Sequence, residues 1–343
     1  MKQFIEKIRQ GHHLLYEEMT EAARQMFSDE ADHREIAELL IALSEKGETA
    51  YEVAALSSVM KSYAATLQVP DGRYIDNCGT GGDGSGSFNI STTAAFVLAG
   101  AGLKVAKHGN RKISSVAGSQ DVLDALGIRS TFTSEEMMEL LEEVGITFLF
   151  APTLHPKMAN IGEARKLIGK PTVFNLVGPL TNPLPLQAQF TGISRRDFIM
   201  DYALVLRMIG RERAVVVSGA GGMDEASLAG QNAFVLIDRG DFIPFSLTAE
   251  DVGLPYAPLS AIRGGNAKEN AEIVRSVLRG ERGPRFDTVV FNAGIALFAE
   301  GAAVTFREGV EMAIESILSG NAMEKLEAVV AFSDRKEAEV VVK

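Results

Sequence analysis

Cysteine is almost missing from this 343-residue chain, which holds a single one, Cys78. One thiol forms neither an internal disulfide nor a cysteine-rich metal centre, and that suits a reducing compartment. No activating base stands near Cys78 in sequence, so it reads as a small apolar residue at a strand end rather than a nucleophile. Positive charge is also short. Lys and Arg total 34 against 45 Asp and Glu, a net charge of −11. That balance argues against a nucleic-acid partner, whose phosphates need clustered cations, but leaves room for a local pocket that takes a small anion. Long apolar runs are absent too. None reaches the roughly 18 residues that span a bilayer, and the opening MKQFIEKIRQ has no apolar signal core. The sequence therefore predicts a soluble, cytoplasmic protein with no membrane partner. It has no internal repeat and no low-complexity tract. What remains is ordinary globular composition, 46% apolar and 23% charged, enough for two domains or one large domain with an accessory piece.

Residues 1–67 read as helix throughout. Glu18–Phe27, His33–Glu45 and Thr49–Leu67 carry apolar residues at three- and four-residue spacing, and Gly47–Thr49 ends one helix and caps the next. After Val69-Pro70-Asp71-Gly72 the pattern changes to strand–helix alternation. Strands are predicted at Leu103–Ala106, Ile146–Ala151, Ala214–Ser218, Ala233–Ile237 and Thr288–Asn292. Helices are predicted at Thr92–Gly100, Ser134–Val144, Asp197–Ile209, Ala267–Leu278 and Arg307–Ser319. The fold class is thus α/β: a small N-terminal helical domain, then a larger domain with a mostly parallel sheet flanked by helices. Ligands of such sheets bind where strands end and loops begin, and the unusual segments lie there.

The densest signal is DNCGTGGDGSGSFNIST at Asp76–Thr92, with five glycines among positions 79–86. Glycine admits positive φ and close backbone approach, so successive N–H groups can ring a phosphate, and the helix that follows offers an anion-favouring N-terminus. The same density would serve a flexible surface loop. It is no Walker loop, because GK[ST] is missing, and GxGxxG spacing is not met. KHGNRKISS, Lys107–Ser115, gathers cations, a histidine and hydroxyls at a strand end, though a solvated basic turn looks similar. In GAGGMDEAS, Gly219–Ser227, Asp224 and Glu225 are adjacent hard oxygen donors suited to magnesium, or else two surface acids. A fourth stretch, Leu154–Pro183, contains HPKM, FNLVGPLTNP and Arg165, which is able to fork onto a carboxylate or simply to lie on the surface.

Together GTGGDGSGSFNIST, KHGNRKISS with GSQDVLDALG, HPKM, FNLVGPLTNP and GMDEASLAG resemble the anthranilate phosphoribosyltransferase family, within the nucleoside phosphorylase/phosphoribosyltransferase superfamily. The resemblance runs over nearly the whole chain, with the motifs in the family's order. It implies transfer of a phosphoribosyl group from 5-phosphoribosyl 1-pyrophosphate to anthranilate, the second dedicated step of tryptophan synthesis. It also implies a helical, dimerising domain of residues 1–70 with part of 165–185, an α/β domain of residues 71–343, a homodimer, and two Mg2+ ions. Gly79, Gly82, Asp83, Ser87, Asn89, Ile90, Ser91, Thr92, Lys107, Gly109 and Arg111, Lys112, Ile113, Ser114, Ser115 would hold the diphosphate substrate, with Ser119 close by. Ser91, Asp224 and Glu225 would serve the metal, and Lys107, Asp224 and Glu225 the chemistry. Asn110 and Arg165 would meet anthranilate, with His108, His155 and Pro179 lining its channel. The chain departs from the family's pattern at several positions. Ser87 replaces the common threonine, Val116-Ala117 a more polar pair, and Ser44 a frequent arginine. Ser218 and Gly221 stand where histidine and aspartate are frequent, which questions what supports the acidic pair. Two other functions compete: a pyrimidine nucleoside phosphorylase, disfavoured by KHGNR and FNLVGPLTNP, and a non-catalytic nucleic-acid-binding relative, disfavoured by net charge and the intact acidic pair.

Overall fold

The computed structural model describes residues 1–110, 117–129 and 131–341. Four helices open the chain: α1 (Lys2–Arg9), α2 (Tyr16–Met26), α3 (His33–Lys46) and α4 (Ala50–Ser62). Gly47 at φ 89° terminates α3, and Thr49 caps α4 by accepting from the Glu52 amide while Glu52 reaches back to the Thr49 amide. Glu52 is fully buried and also takes Lys46 at 2.8 Å and the Leu14 amide at 2.9 Å, so Lys46 and Glu52 form a structural ion pair at the α3–α4 turn.

Strands and helices then alternate. In order they are β1 (Ile75–Asp76), α5 (Ile90–Gly100), β2 (Val105–Gly109), α6 (Ser119–Leu126), α7 (Ser134–Val144) and β3 (Ile146–Phe150). Three helices follow, α8 (Ala151–Leu154), α9 (Met158–Ile168) and α10 (Phe174–Val177), before β4 (Ala188–Gly192), α11 (Ile199–Met208) and β5 (Arg213–Ser218). The hairpin β6 (Asn232–Asp238) and β7 (Asp241–Leu247) leads to α12 (Ala267–Leu278), α13 (Pro284–Glu300), α14 (Phe306–Leu318) and α15 (Asn321–Val341). The fold is a small helical domain on a larger α/β domain. Among the described residues no helix is long and apolar enough to cross a membrane.

The sheet order is β3-β2-β1-β4-β5-β6-β7, parallel from β3 to β5 and antiparallel beyond. The chain winds outward from β1 to β3, then returns to lay β4 on the other flank of β1. Loops leaving β1 and β4 therefore diverge and open a crevice. Period-two side-chain alternation divides the interior into two cores. Val215, Val217, Phe234 and Leu236 face the core built with α5 and α13. Ala214, Val216, Val235 and Ile237 face the core shared with α1–α4, α9 and α11, which Val173, Phe174, Leu176, Val177 and Leu180 also enter.

One predicted strand is wrong. Thr288–Asn292 lies inside α13, a 17-residue helix with Pro284 in its first turn and residues buried on every side. A short run rich in β-branched and aromatic residues cannot distinguish a central strand from a helix buried all round. The helix predicted to Leu67 stops at Ser62, and β2 extends through Gly109, so Lys107 and His108 belong to the strand itself.

Candidate active site

Four parallel strand ends meet at one cleft of about 590 Å³. Its floor exists because side chains are missing. A Cβ on Gly192, the last residue of β4, would lie 1.6 Å from the Asp224 carbonyl oxygen; on Gly219 it would lie 2.0 Å from that of Glu225, and on Gly79 2.5 Å from Asp224 Oδ2. The Asp224–Glu225 segment is thereby drawn across the ends of β1, β4 and β5. The Gly81 amide donates to Asp224 Oδ2 at 2.6 Å, and the Thr80 amide to the Gly192 carbonyl at 2.9 Å. Gly81, Gly82, Gly84 and Gly86 all have φ between 65° and 76°, the region that glycine adopts without strain. The loop is pinned at its far side by an antiparallel bridge between Ser87 and Arg263.

α5 begins inside the cleft. Its N-cap, Asn89, makes no capping bond of its own; instead Asn270 Nδ2 of α12 donates to Asn89 Oδ1 at 2.8 Å. Ile90, Ser91 and Thr92 form the first turn, so the helix dipole points its positive end at the cavity. Lys107, almost fully buried, reaches from β2 to Ser91 Oγ at 3.1 Å. Ser119 opens α6 and donates to the Asn110 carbonyl at 3.0 Å, closing the turn after β2. Gly79, Gly82, Asp83, Ser87, Asn89, Ile90, Ser91, Thr92, Lys107, His108, Gly109, Asn110, Ser119, His155, Arg165, Pro179, Asp224 and Glu225 all line this one cleft. Arg111, Lys112, Ile113, Ser114 and Ser115 lie outside the described residues.

The floor of the cleft is crowded with carboxyl groups. Burial, then the nearby Asp83, pushes the Asp224 carboxyl up; burial, then Asp224, pushes Glu225 well up, against the pull of Lys107. Asp83 Oδ2 is buried with no partner, its other oxygen taken by Ser85. Three crowded carboxylates with unused lone pairs are a hard-oxygen donor set that a divalent cation would relieve. Among the described residues, no group of three or more His, Cys, Asp or Glu stands as a ready-made cage, so substrate oxygens and water would complete the coordination, as magnesium favours. Burial pushes the Cys78 thiol up to about 12, which removes it as a nucleophile.

The other end is built by side chains from the helical side. Arg165 of α9 is held by Asn175 Oδ1 at 3.2 Å and lies over the Phe174 ring at 5.9 Å. His108 and His155 pack edge to face at 5.5 Å, and burial lowers them to about 4 and about 3, so both are neutral rings. Met60, Pro156, Gly178 and Pro179 complete the wall.

Sequence reasoning missed the polar network beneath. Asp76, fully buried and raised by burial to about 6, accepts from the His108 amide at 3.2 Å and from Asn182 Nδ2 at 2.9 Å. Gln189 Nε2 donates to the Pro179 carbonyl at 2.6 Å, while Arg211 Nε donates to Gln189 Oε1 at 2.8 Å. These bonds fasten the Gly178–Asn182 wall to β1, β2 and β4. A polar residue inside a short strand was the only signal, and it is one that exposed strands share.

Residues 71–323 match the model of the glycosyl transferase family, a/b domain, and residues 2–64 that of the glycosyl transferase family, helical bundle domain. The chain belongs to this family of glycosyl transferases. Within it, the chain is a member of the anthranilate phosphoribosyltransferases. It is 57% identical to anthranilate phosphoribosyltransferase of Exiguobacterium sibiricum, covering 95% of this chain and 96% of that one, and 52% identical to that of Listeria monocytogenes, covering 97% and 98%. The structure of anthranilate phosphoribosyltransferase from Thermus thermophilus superposes with a TM-score of 0.91 at 42% identity, over 96% of this chain and 99% of that one. The Saccharomyces cerevisiae enzyme in complex with PRPP and Mg superposes at 0.84 and 27% identity, over 93% and 92%.

Proposed function

We propose that this chain transfers the phosphoribosyl group of 5-phosphoribosyl 1-pyrophosphate to the amine of anthranilate, releasing pyrophosphate and N-(5-phosphoribosyl)anthranilate. One observation carries the reading: backbone amides of residues 79–92, Lys107 and the acids Asp224 and Glu225 converge on the same cleft whose opposite wall holds Arg165. The glycine loop and the first turn of α5 bind the phosphates through N–H groups. Ser91, Asp224 and Glu225, with Asp83 beside them, would hold two Mg2+ ions. A divalent cation there supplies charge neutralisation for the departing diphosphate. Lys107 adds a fixed positive charge at the same place, already desolvated and therefore effective.

Arg165 and Asn110 orient anthranilate, the guanidinium forking onto its carboxylate. Neutral His108 and His155 with Pro179 line its channel without competing for that charge. The aromatic amine attacks C1 of ribose as the C1–O bond to diphosphate breaks, through an oxocarbenium-like state. Such an amine is already neutral near pH 7, so alignment rather than a strong base limits the reaction. The amine proton passes to solvent or to the released diphosphate.

The domain limits at residues 1–70 and 71–343, a cytoplasmic location and a homodimer belong to the same reading. Leu15, Ile41, Tyr51 and Leu167 are exposed apolar side chains on the helical side, which supports pairing there. The test is loss of anthranilate fluorescence on adding phosphoribosyl pyrophosphate and magnesium. Turnover of a pyrimidine nucleoside with inorganic phosphate, and none of anthranilate, would instead favour the phosphorylase.

A further inference from the structure

Asp224 and Glu225 must stand in register with the glycine loop, yet among the described residues no Lys or Arg forms an ion pair with either. The two positions expected to support them do not. Ser218 Oγ is buried without a partner, and Gly221, at φ 80°, has no side chain to offer. Two asparagines hold the segment instead. Asn292 of α13, completely buried, accepts from the Ala226 amide at 2.8 Å and donates to the Ala226 carbonyl at 2.8 Å and the Thr288 carbonyl at 2.9 Å. Asn232, at the start of β6, accepts from the Ala220 and Ser227 amides at 3.0 and 2.8 Å. It also donates to the carbonyls of Ser227, Gly230 and Leu247.

The two clamps differ in reach. Asn232 closes the base of the loop on itself. Asn292 ties the residue immediately after Glu225 to a 17-residue helix that also packs against α5, whose N-terminus faces the cleft. A two-point grip on one residue holds the peptide groups on both of its sides, and the orientation of the 225–226 peptide sets where the side chain of residue 225 points. Asn292 thus reads the acidic pair and the anion-facing helix from a common support. Gly79, Gly192 and Gly219 leave space under the segment but offer no side chain to hold it; beside the Gly81–Asp224 bond and Asn232, the grip comes from α13.

We propose that Asn292 is a positioning residue for the acidic pair, acting through the backbone of Ala226 to set the affinity of the cleft for metal-bound diphosphate. This rests on the assignment of Asp224 and Glu225 above. The experiment is calorimetric titration of phosphoribosyl pyrophosphate at a series of MgCl2 concentrations. Asn292→Ala is expected to raise the magnesium needed for half-maximal binding by about tenfold or more, the usual scale for losing an outer-sphere support. The KM for anthranilate at saturating magnesium and diphosphate substrate should change by less than about twofold.

Ser333→Ala serves as the control, because the buried Ser333 accepts from the Arg129 amide at 2.7 Å, away from the residues that line the cleft. It should lower stability and leave the magnesium response alone. If Asn292→Ala does not fold, Asn292→Asp keeps the acceptor for the Ala226 amide, loses the donor to its carbonyl, and should show the same shift. A wild-type magnesium response in whichever variant folds, with only a fall in melting temperature, overturns the proposal. Asp224→Asn with Glu225→Gln separates the two claims: if that pair also leaves the magnesium response unchanged, the assignment of the acids itself fails.

Discussion

The two ends of the cleft are made from different material. The diphosphate end is mostly main chain: loop amides, a helix start, and glycines that leave space for one peptide to cross another at the ends of β1, β4 and β5. The acceptor end is mostly side chain, with Arg165, Phe174 and Met60 brought in by helices of the other core and His155 by the turn after α8. A diphosphate carries charge on many oxygens and is well met by many weak dipoles at fixed positions. A benzoate-like acceptor presents one charge and one ring, and is met by one guanidinium and an apolar wall. Damage to the first end should therefore abolish function, whereas damage to the second should only weaken recognition.

The largest effect is expected at the acids. Asp224→Ala with Glu225→Ala should lower kcat/KM by about a thousandfold or more, with far-ultraviolet circular dichroism unchanged. Turnover that survives at limiting magnesium would refute their role. Gly192→Ala comes next, because its methyl group would lie 1.6 Å from the Asp224 carbonyl oxygen, backbone that cannot swing aside. It should destabilise the chain by roughly 3 kcal/mol and reduce turnover even where the protein remains folded. Denaturant midpoints with parallel rate measurements test both parts, and a wild-type result would mean that the acidic segment does not cross β4. Arg165→Ala attacks the other end. It should raise the KM for anthranilate by roughly ten- to a hundredfold, the scale of a lost charge-assisted bond, and leave that of the diphosphate substrate nearly unchanged. The reverse pattern would exchange the two ends of the cleft.

That asymmetry also governs what could be read from the sequence. Gly79 to Gly86 and the pair Asp224-Glu225 announce themselves because a dense run of glycines or adjacent acids at a strand end is unusual locally. The helices are also legible, Ser134–Val144 and Ala267–Leu278 to the residue. β4 was not found, and β1 only as a strand end before the glycine loop, without bounds, since each carries a buried polar residue, Gln189 or Asp76, where pattern reading looks for apolar ones. β7 was missed because Pro244 interrupts it and its residues are half exposed, as an edge strand tolerates. Thr288–Asn292 misled in the opposite sense, being a β-branched run inside a helix. Nothing local shows that Asn182, Arg211 or Asn292 is buried and bonded across more than 20 residues of chain. Their meaning is tertiary, and single-chain periodicity does not carry it.

The smallest predicted effect concerns His155, and its sign follows from which state binds the proton. An unfolded histidine titrates near 6.5, whereas burial lowers folded His155 to about 3 and folded His108 to about 4. Between those values the unfolded chain holds protons that the folded chain lacks. Stability from the two rings is therefore complete above pH 6.5 and is lost progressively as pH falls toward 4. Asp76, raised by burial from 3.8 to about 6, tilts the other way, favouring the folded state as pH falls through that window. That opposing slope is common to the wild type and to His155→Gln, so it cancels in their difference. The variant removes one buried ring and keeps a polar group of similar reach. Its unfolding free energy should consequently fall less between pH 7 and pH 5 than that of the wild type, by about 1–2 kcal/mol, as read from urea denaturation at the two pH values. Equal losses in both proteins would mean that His155 is hydrated in the native state, and a wet ring would leave the acceptor end without the dry wall that sets it apart from the diphosphate end.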